Sequence, residues 1–187
     1  MHSTTKMPQP RVVLALLGAA LISTAAQAED DCTMQFSQQK LDYGSFTRSE
    51  LQTSKTSSGL LSMGKRTFSL SSTCGAGALI GVTFNANSHD ENGYRFAQNG
   101  LFTLKIIDAQ LDGRTVQMRP SARIASGAES GLLRPGDYLV PHDGQTPALG
   151  ERLNLQIEAH ALLTEDDVYV SSNETKEGNG EFVVKAM

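Results

Sequence analysis

Leu153-Asn154-Leu155-Gln156-Ile157-Glu158-Ala159-His160-Ala161-Leu162-Leu163 is the stretch on which the fold turns. Apolar residues occupy 153, 155, 157, 159, 161 and 163, and Asn154, Gln156, Glu158 and His160 stand between them. An extended chain sends successive side chains to opposite faces, whereas a helix groups its apolar residues three and four apart. The segment is therefore a long strand with one buried and one solvated face.

Working outward, the same alternation recurs. In Lys65 to Cys74 (KRTFSLSSTC), Phe68, Leu70 and Cys74 share one face, while Thr67, Ser69, Ser71 and Thr73 share the other. Ile80, Val82, Phe84 and Ala86 repeat the pattern after Gly75-Ala76-Gly77, and Phe102, Leu104 and Ile106 do so after Asn99-Gly100. Asp112-Gly113 separates Ala109-Gln110-Leu111 from Thr115-Val116-Gln117-Met118, which predicts a two-residue hairpin, because a type I′ turn needs positive φ at both central positions. Asp90-Glu91-Asn92-Gly93, Arg134-Pro135-Gly136-Asp137 and Asp143-Gly144-Gln145 mark further loops. No ten-residue stretch reads as an amphipathic helix. Short strands divided by Gly-rich turns predict an all-β sandwich in one domain.

The first 28 residues read as a secretory signal peptide. Lys6 and Arg11 precede an apolar run from Val12 to Ile22 (VVLALLGAALI), and Ala26-Gln27-Ala28 has the small-x-small form that a signal peptidase cuts. The apolar run is short of the roughly 20 residues that cross a bilayer. Cleavage leaves Glu29 to Met187, a size suited to one domain. It removes two of the 16 basic residues and none of the 20 acidic ones, so the formal charge becomes −6. Such a surface does not suit nucleic acid. Cys32 and Cys74 both lie in the exported part, where a disulfide is the default state of a thiol pair. Closing that loop stabilises a fold by about 4 kcal/mol on the chain-entropy account. A metal site is the weaker alternative, since the two cysteines have no CxxC spacing and no nearby histidine.

A search for catalytic chemistry returns little. The chain has no GxSxG, no HExxH and no phosphate-binding glycine loop. Gly127-Ala128-Glu129-Ser130-Gly131 reads as a flexible loop. His89 and His142 lie in turn-rich stretches, and His160 sits on the polar face of the long strand. Asp90, Asn92 and Gly93 lack the acidic terminus of a calcium loop. Glu165-Asp166-Asp167 reads as a solvated charge run. The expectation is a non-enzymatic protein with no cofactor and no metal.

The chain resembles the subunits of chaperone–usher pili. The residues that carry the resemblance are Cys32 followed by Leu41-Asp42-Tyr43-Gly44, then Phe68 to Cys74 with the apolar strand after it, the Asp108 to Gly113 hairpin, Leu133-Arg134-Pro135-Gly136, and the alternating segment Glu181 to Met187. The resemblance implies an immunoglobulin-like (pilin-type) sandwich that lacks its final strand. The strand bearing Phe182, Val184 and Ala186 would then line an apolar groove with an unpaired edge. In the family a periplasmic chaperone fills that groove first, an outer-membrane usher assembles the fibre, and a neighbouring subunit then donates the missing strand.

Two features depart from the family pattern. The chain ends on Lys185-Ala186-Met187 where members have an aromatic residue, and only Glu29-Asp30-Asp31 precede the first cysteine after cleavage. Three residues span about 10 Å at most, whereas an ordinary strand spans about 17–20 Å. The subunit is thus expected to accept a strand without donating one, which suits the tip of a cell-surface fimbria. Asn87 to Gly93 and Ser126 to Gly131 are then candidate contacts for a host or surface receptor. The competing reading is a complete, monomeric periplasmic or secreted β-sandwich that binds a small ligand.

Overall fold

The computed structural model describes residues 32–121, 131–169 and 173–187. The signal segment, the Glu29-Asp30-Asp31 stub and residues 126–130 of the proposed contact loop lie outside the described residues. In chain order the elements are β1 (Thr33–Phe36), α1 (Arg48–Thr53), β2 (Leu61–Ala78), β3 (Ile80–Asn85), β4 (Tyr94–Phe96), β5 (Gly100–Leu111), β6 (Arg114–Thr115) and β7 (Gln117–Pro120). They continue with β8 (Leu132–Leu133), β9 (Leu139–Asp143), β10 (Thr146–Pro147), β11 (Gly150–Leu163), a 3₁₀ turn at Asp166–Val168, and β12 (Glu181–Ala186).

The strands form two antiparallel sheets. One runs β1-β2-β11-β5-β4, with β6 and β8 also pairing along β5; the other runs β10-β9-β3-β12, with β7 also on β9. The fold is the all-β sandwich expected from the alternation. β11 is the centre of the larger sheet, and it opposes Leu155 to Leu70 on one side and to Ala109 on the other. Its odd-numbered residues from Leu153 to Leu163 are all buried. They face Ile80, Val82, Phe84, Leu139, Phe182 and Val184 of the smaller sheet across a single core cluster.

Local chemistry explains the turns. Asp112 and Gly113 both have positive φ, at 50° and 78°, and the flanking pairs are Gln110 with Thr115 and Leu111 with Arg114, as a type I′ hairpin requires. The Asp112 carboxylate also accepts main-chain hydrogen bonds from Glu151 (3.2 Å) and Arg152 (2.8 Å), which fastens this hairpin to the start of β11. Cys32 and Cys74 are joined in a disulfide that anchors β1 to β2.

Three details depart from the sequence reading. Gly75-Ala76-Gly77 does not end a strand; β2 continues to Ala78 and the chain changes sheets only at Leu79. A short helix, α1, appears where none was read, started by a capping box in which Thr47 and Glu50 satisfy each other's main-chain N–H groups. Asp167 is not part of a solvated charge run. It is 3 % exposed, and its carboxylate accepts from the main-chain N–H of Asn99 and from both the N–H and the hydroxyl of Thr164. A buried carboxylate so bonded holds the start of β5 to the end of β11.

Candidate functional site: an aromatic groove beside an open sheet edge

β12 is an edge strand. It pairs with β3 in one register, Glu181 with Asn85 through Ala186 with Ile80, and no strand among the described residues pairs with its other edge. The ladder's phase is set at its end, where Met187 and Leu79 exchange both main-chain hydrogen bonds, at 3.0 and 3.4 Å. Antiparallel pairs alternate between bonded and non-bonded. Lys185, Val183 and Glu181 therefore bond to β3, and the N–H and C=O groups of Phe182, Val184 and Ala186 point to the open edge. The same three residues turn their side chains inward: Phe182 and Val184 are buried and Ala186 packs partly against the core.

Beside this edge lies a groove of about 1460 Å³. All seven phenylalanines of the chain line it: Phe36, Phe46, Phe68, Phe84, Phe96, Phe102 and Phe182. They come from six strands of both sheets and one loop. Phe182 sits at the junction, its ring centroid 5.8 Å from Phe36, 5.8 Å from Phe68 and 4.7 Å from Phe84. Phe84 continues the contact to Phe102 at 5.9 Å. Met34 and Phe46 leave more than a third of their surface exposed at the rim. Phe68, Phe84, Phe96, Phe102 and Phe182 are themselves buried and form the floor, while polar side chains such as Gln38, Asp42, Arg48 and Glu174 share the lining.

Two irregular segments wall the groove, residues 38–48 and residues 173–180. The first is held by side chains instead of a ladder. The Tyr43 hydroxyl donates to the Ala159 carbonyl at 2.9 Å, and Arg66 donates to the carbonyls of Asp42 (3.1 Å) and Tyr43 (3.2 Å). Burial pushes the Tyr43 phenol up to about 12, against the opposing pull of the Arg66 charge. The second segment is tied by the Ala97 N–H donating to the Glu177 carbonyl at 2.9 Å. It lies flat on the rings, since a Cβ at Gly178 would come within 2.9 Å of Phe96 and one at Gly180 within 2.4 Å of Phe84.

Of the residues the sequence singled out, Phe182 lines the groove, whereas Val184 and Ala186 continue the same face of β12 beyond it. Sequence reasoning missed the wall at 38–48 and the convergence of phenylalanines. Tyr43 and Phe46 were visible as aromatics in a segment without strand periodicity. The histidines are dispersed: the His160 ring pairs with the Ser62 hydroxyl at 2.8 Å, His89 contacts the Asn99 carbonyl at 3.1 Å, and His142 contacts the Val140 carbonyl at 3.1 Å. Burial, with the Lys65 charge, holds His160 below the usual histidine range. No group of three metal-ligating side chains occurs among the described residues. The Asn87 to Gly93 loop is closed on itself, with the Asp90 carboxylate accepting from the N–H groups of Asn92 (2.8 Å) and Gly93 (2.9 Å). Both of these bonds end on Oδ1, and Oδ2 lies 3.3 Å from the His89 ring.

Fold and site together define a disulfide-anchored, two-sheet antiparallel sandwich with an aromatic groove along one open edge. No family model matches the chain, and no curated protein matches it. Among solved structures it is similar to the crystal structure of the P pilus rod subunit PapA, with a TM-score of 0.44 and 10% identity over 83% of this chain and 99% of that one. That likeness is distant, and it is one of chain course alone.

Proposed function

We propose that this chain is a structural, non-enzymatic subunit of a chaperone–usher fibre, and that its groove takes up an extended strand from a neighbouring subunit. The observation that carries the reading is the union of a groove lined by seven phenylalanines with an edge strand whose outward main-chain groups no described strand pairs. A ligand of small size would use the cavity and leave the edge bare; an extended strand uses both, bonding to Phe182, Val184 and Ala186 while its alternate side chains enter the groove. Before assembly a periplasmic chaperone covers the same surface, and an outer-membrane usher delivers the subunit to the cell surface. With cleavage after Ala28, the acidic stub Glu29-Asp30-Asp31 is too short and too polar to fill another groove, so the subunit stands at the fibre tip, where an adhesive role toward a surface receptor follows.

The test is thermal unfolding of the oxidised mature chain with synthetic peptides of alternating apolar pattern. A peptide at a hundred times its Kd should raise Tm by about 5–10 °C for a chain of this size, and a composition-matched peptide without the alternation should not. Soluble yield should also rise with a co-expressed pilus chaperone. A chain that is equally soluble alone and indifferent to every such peptide is a self-sufficient binding module instead. Immunogold particles along the shaft rather than at fibre ends would refute the tip position alone.

A further inference from the structure

The open edge of β12 carries a second kind of information, in the charges on its solvent face. Glu181 and Lys185 are exposed, with the partly buried Val183 midway between them. Neither charge has an ion-pair partner among the described residues. We infer that, when no donor strand is present, β12 pairs antiparallel with β12 of a second copy of this chain about a two-fold axis through Val183. The inference rests on the same open edge as the reading above, and it concerns what that edge does while vacant.

The register follows from two independent constraints. Hydrogen bonding requires that outward-pointing residues of one copy oppose outward-pointing residues of the other. With Val183 on the axis, Phe182 opposes the partner's Val184 and Val184 opposes the partner's Phe182, so four main-chain hydrogen bonds form. Charge supplies the second constraint. In this register Glu181 stands directly opposite the partner's Lys185, and Lys185 opposite the partner's Glu181, both at the closer, non-bonded spacing of about 4.5 Å between Cα atoms. The neighbouring registers that also satisfy the bonding are centred on Phe182 or on Val184. The first opposes Glu181 to Val183 and the second opposes Lys185 to Val183, so neither matches the charges. An isologous pair of this kind closes on itself and stops at two copies, while the same edge in any other register meets mismatched side chains. The partner is thus a second copy, fixed by charge complementarity and strand phase together.

The experiment is sedimentation equilibrium on the oxidised mature chain purified without a strand donor, with amide exchange read in parallel. Expected is a monomer–dimer equilibrium that weakens with added salt, and protection of the Phe182 and Val184 amides that grows with protein concentration. Glu181→Lys or Lys185→Glu alone sets like charges against each other twice and should weaken association by roughly tenfold or more. The double variant Glu181→Lys with Lys185→Glu restores the match and should restore the dimer, which a folding defect would not. Val183→Cys places one thiol against its own copy across the axis and should cross-link under mild oxidation, whereas Thr83→Cys on the neighbouring strand should not. A chain that stays monomeric up to its solubility limit, or a double variant no better than the singles, overturns the proposal. If a strand peptide raises Tm while the free chain is monomeric, self-pairing is wrong and the strand-acceptor reading stands. If the dimer forms by these criteria and no peptide binds, self-pairing stands and the strand-acceptor reading falls.

Discussion

Replacing Phe182 by alanine removes the ring on which both sheets meet in the groove. The side chain is 8 % exposed and touches Phe36, Phe68 and Phe84 within 6 Å of ring centroids. A Phe→Ala change in a closed core costs about 3–5 kcal/mol, from lost transfer energy and the void left behind. One side of this ring borders an open groove, so water enters part of the void, and the expected loss lies near the lower end, about 3 kcal/mol. For a chain of this length that is a fall in Tm of roughly 6–12 °C. Urea unfolding followed by circular dichroism measures it as a lower midpoint at unchanged slope. Phe46→Ala is the internal control: it removes the same ring from the rim, where 38 % is already exposed, and should cost under about 1.5 kcal/mol. Equal losses at the two positions, or a loss below about 1 kcal/mol at Phe182, would show that the ring does not bridge the sheets, and the groove as described would be wrong.

Other outcomes follow from the same geometry. Val184→Glu aims a carboxylate into the core opposite the fully buried Val82, at a cost of several kcal/mol; normal accumulation of this variant in periplasmic extracts would refute the facing of β12. Gly180→Ala puts a methyl group 2.4 Å from Phe84 and 2.7 Å from Ala86, and should destabilise by about 1–3 kcal/mol through overpacking, again read by urea unfolding. Tyr43 titrates at about 12 in the fold, above its unfolded value of 10.0. The folded state therefore keeps a proton that the unfolded state loses, so this contribution is whole below pH 10 and declines as the pH rises toward 12. Stability measured from pH 9 to 11 should fall more steeply in the native chain than in Tyr43→Phe, and parallel curves would mean that the phenol is not buried as described.

How much was legible in the chain depends on the range of the interaction that decides each feature. Leu153 to Leu163 declared itself because a strand's two faces are written in adjacent residues, and Asp112-Gly113 because a tight turn is decided by the φ of two positions. Phe182, Val184 and Ala186 could be placed on one face of one strand by the same rule. Asp167 could not be read, since its burial depends on the N–H of Asn99, 68 positions away. α1 was missed for a different reason: six residues hold too little periodicity, although its Thr47-to-Glu50 cap was written plainly in the sequence.

By itself, then, the sequence determined period, turns and the pairing of Cys32 with Cys74, set by local sterics and by there being only two thiols to join. Only the tertiary structure decided that seven phenylalanines, scattered from Phe36 to Phe182, line one groove. It also decided that the open side of β12 presents the main-chain groups of Phe182, Val184 and Ala186. The reason is physical: alternation states which residues share a face, but whether that face is covered, and whether an edge is paired, depends on which strands become neighbours, and that is settled by contacts between residues far apart in the chain.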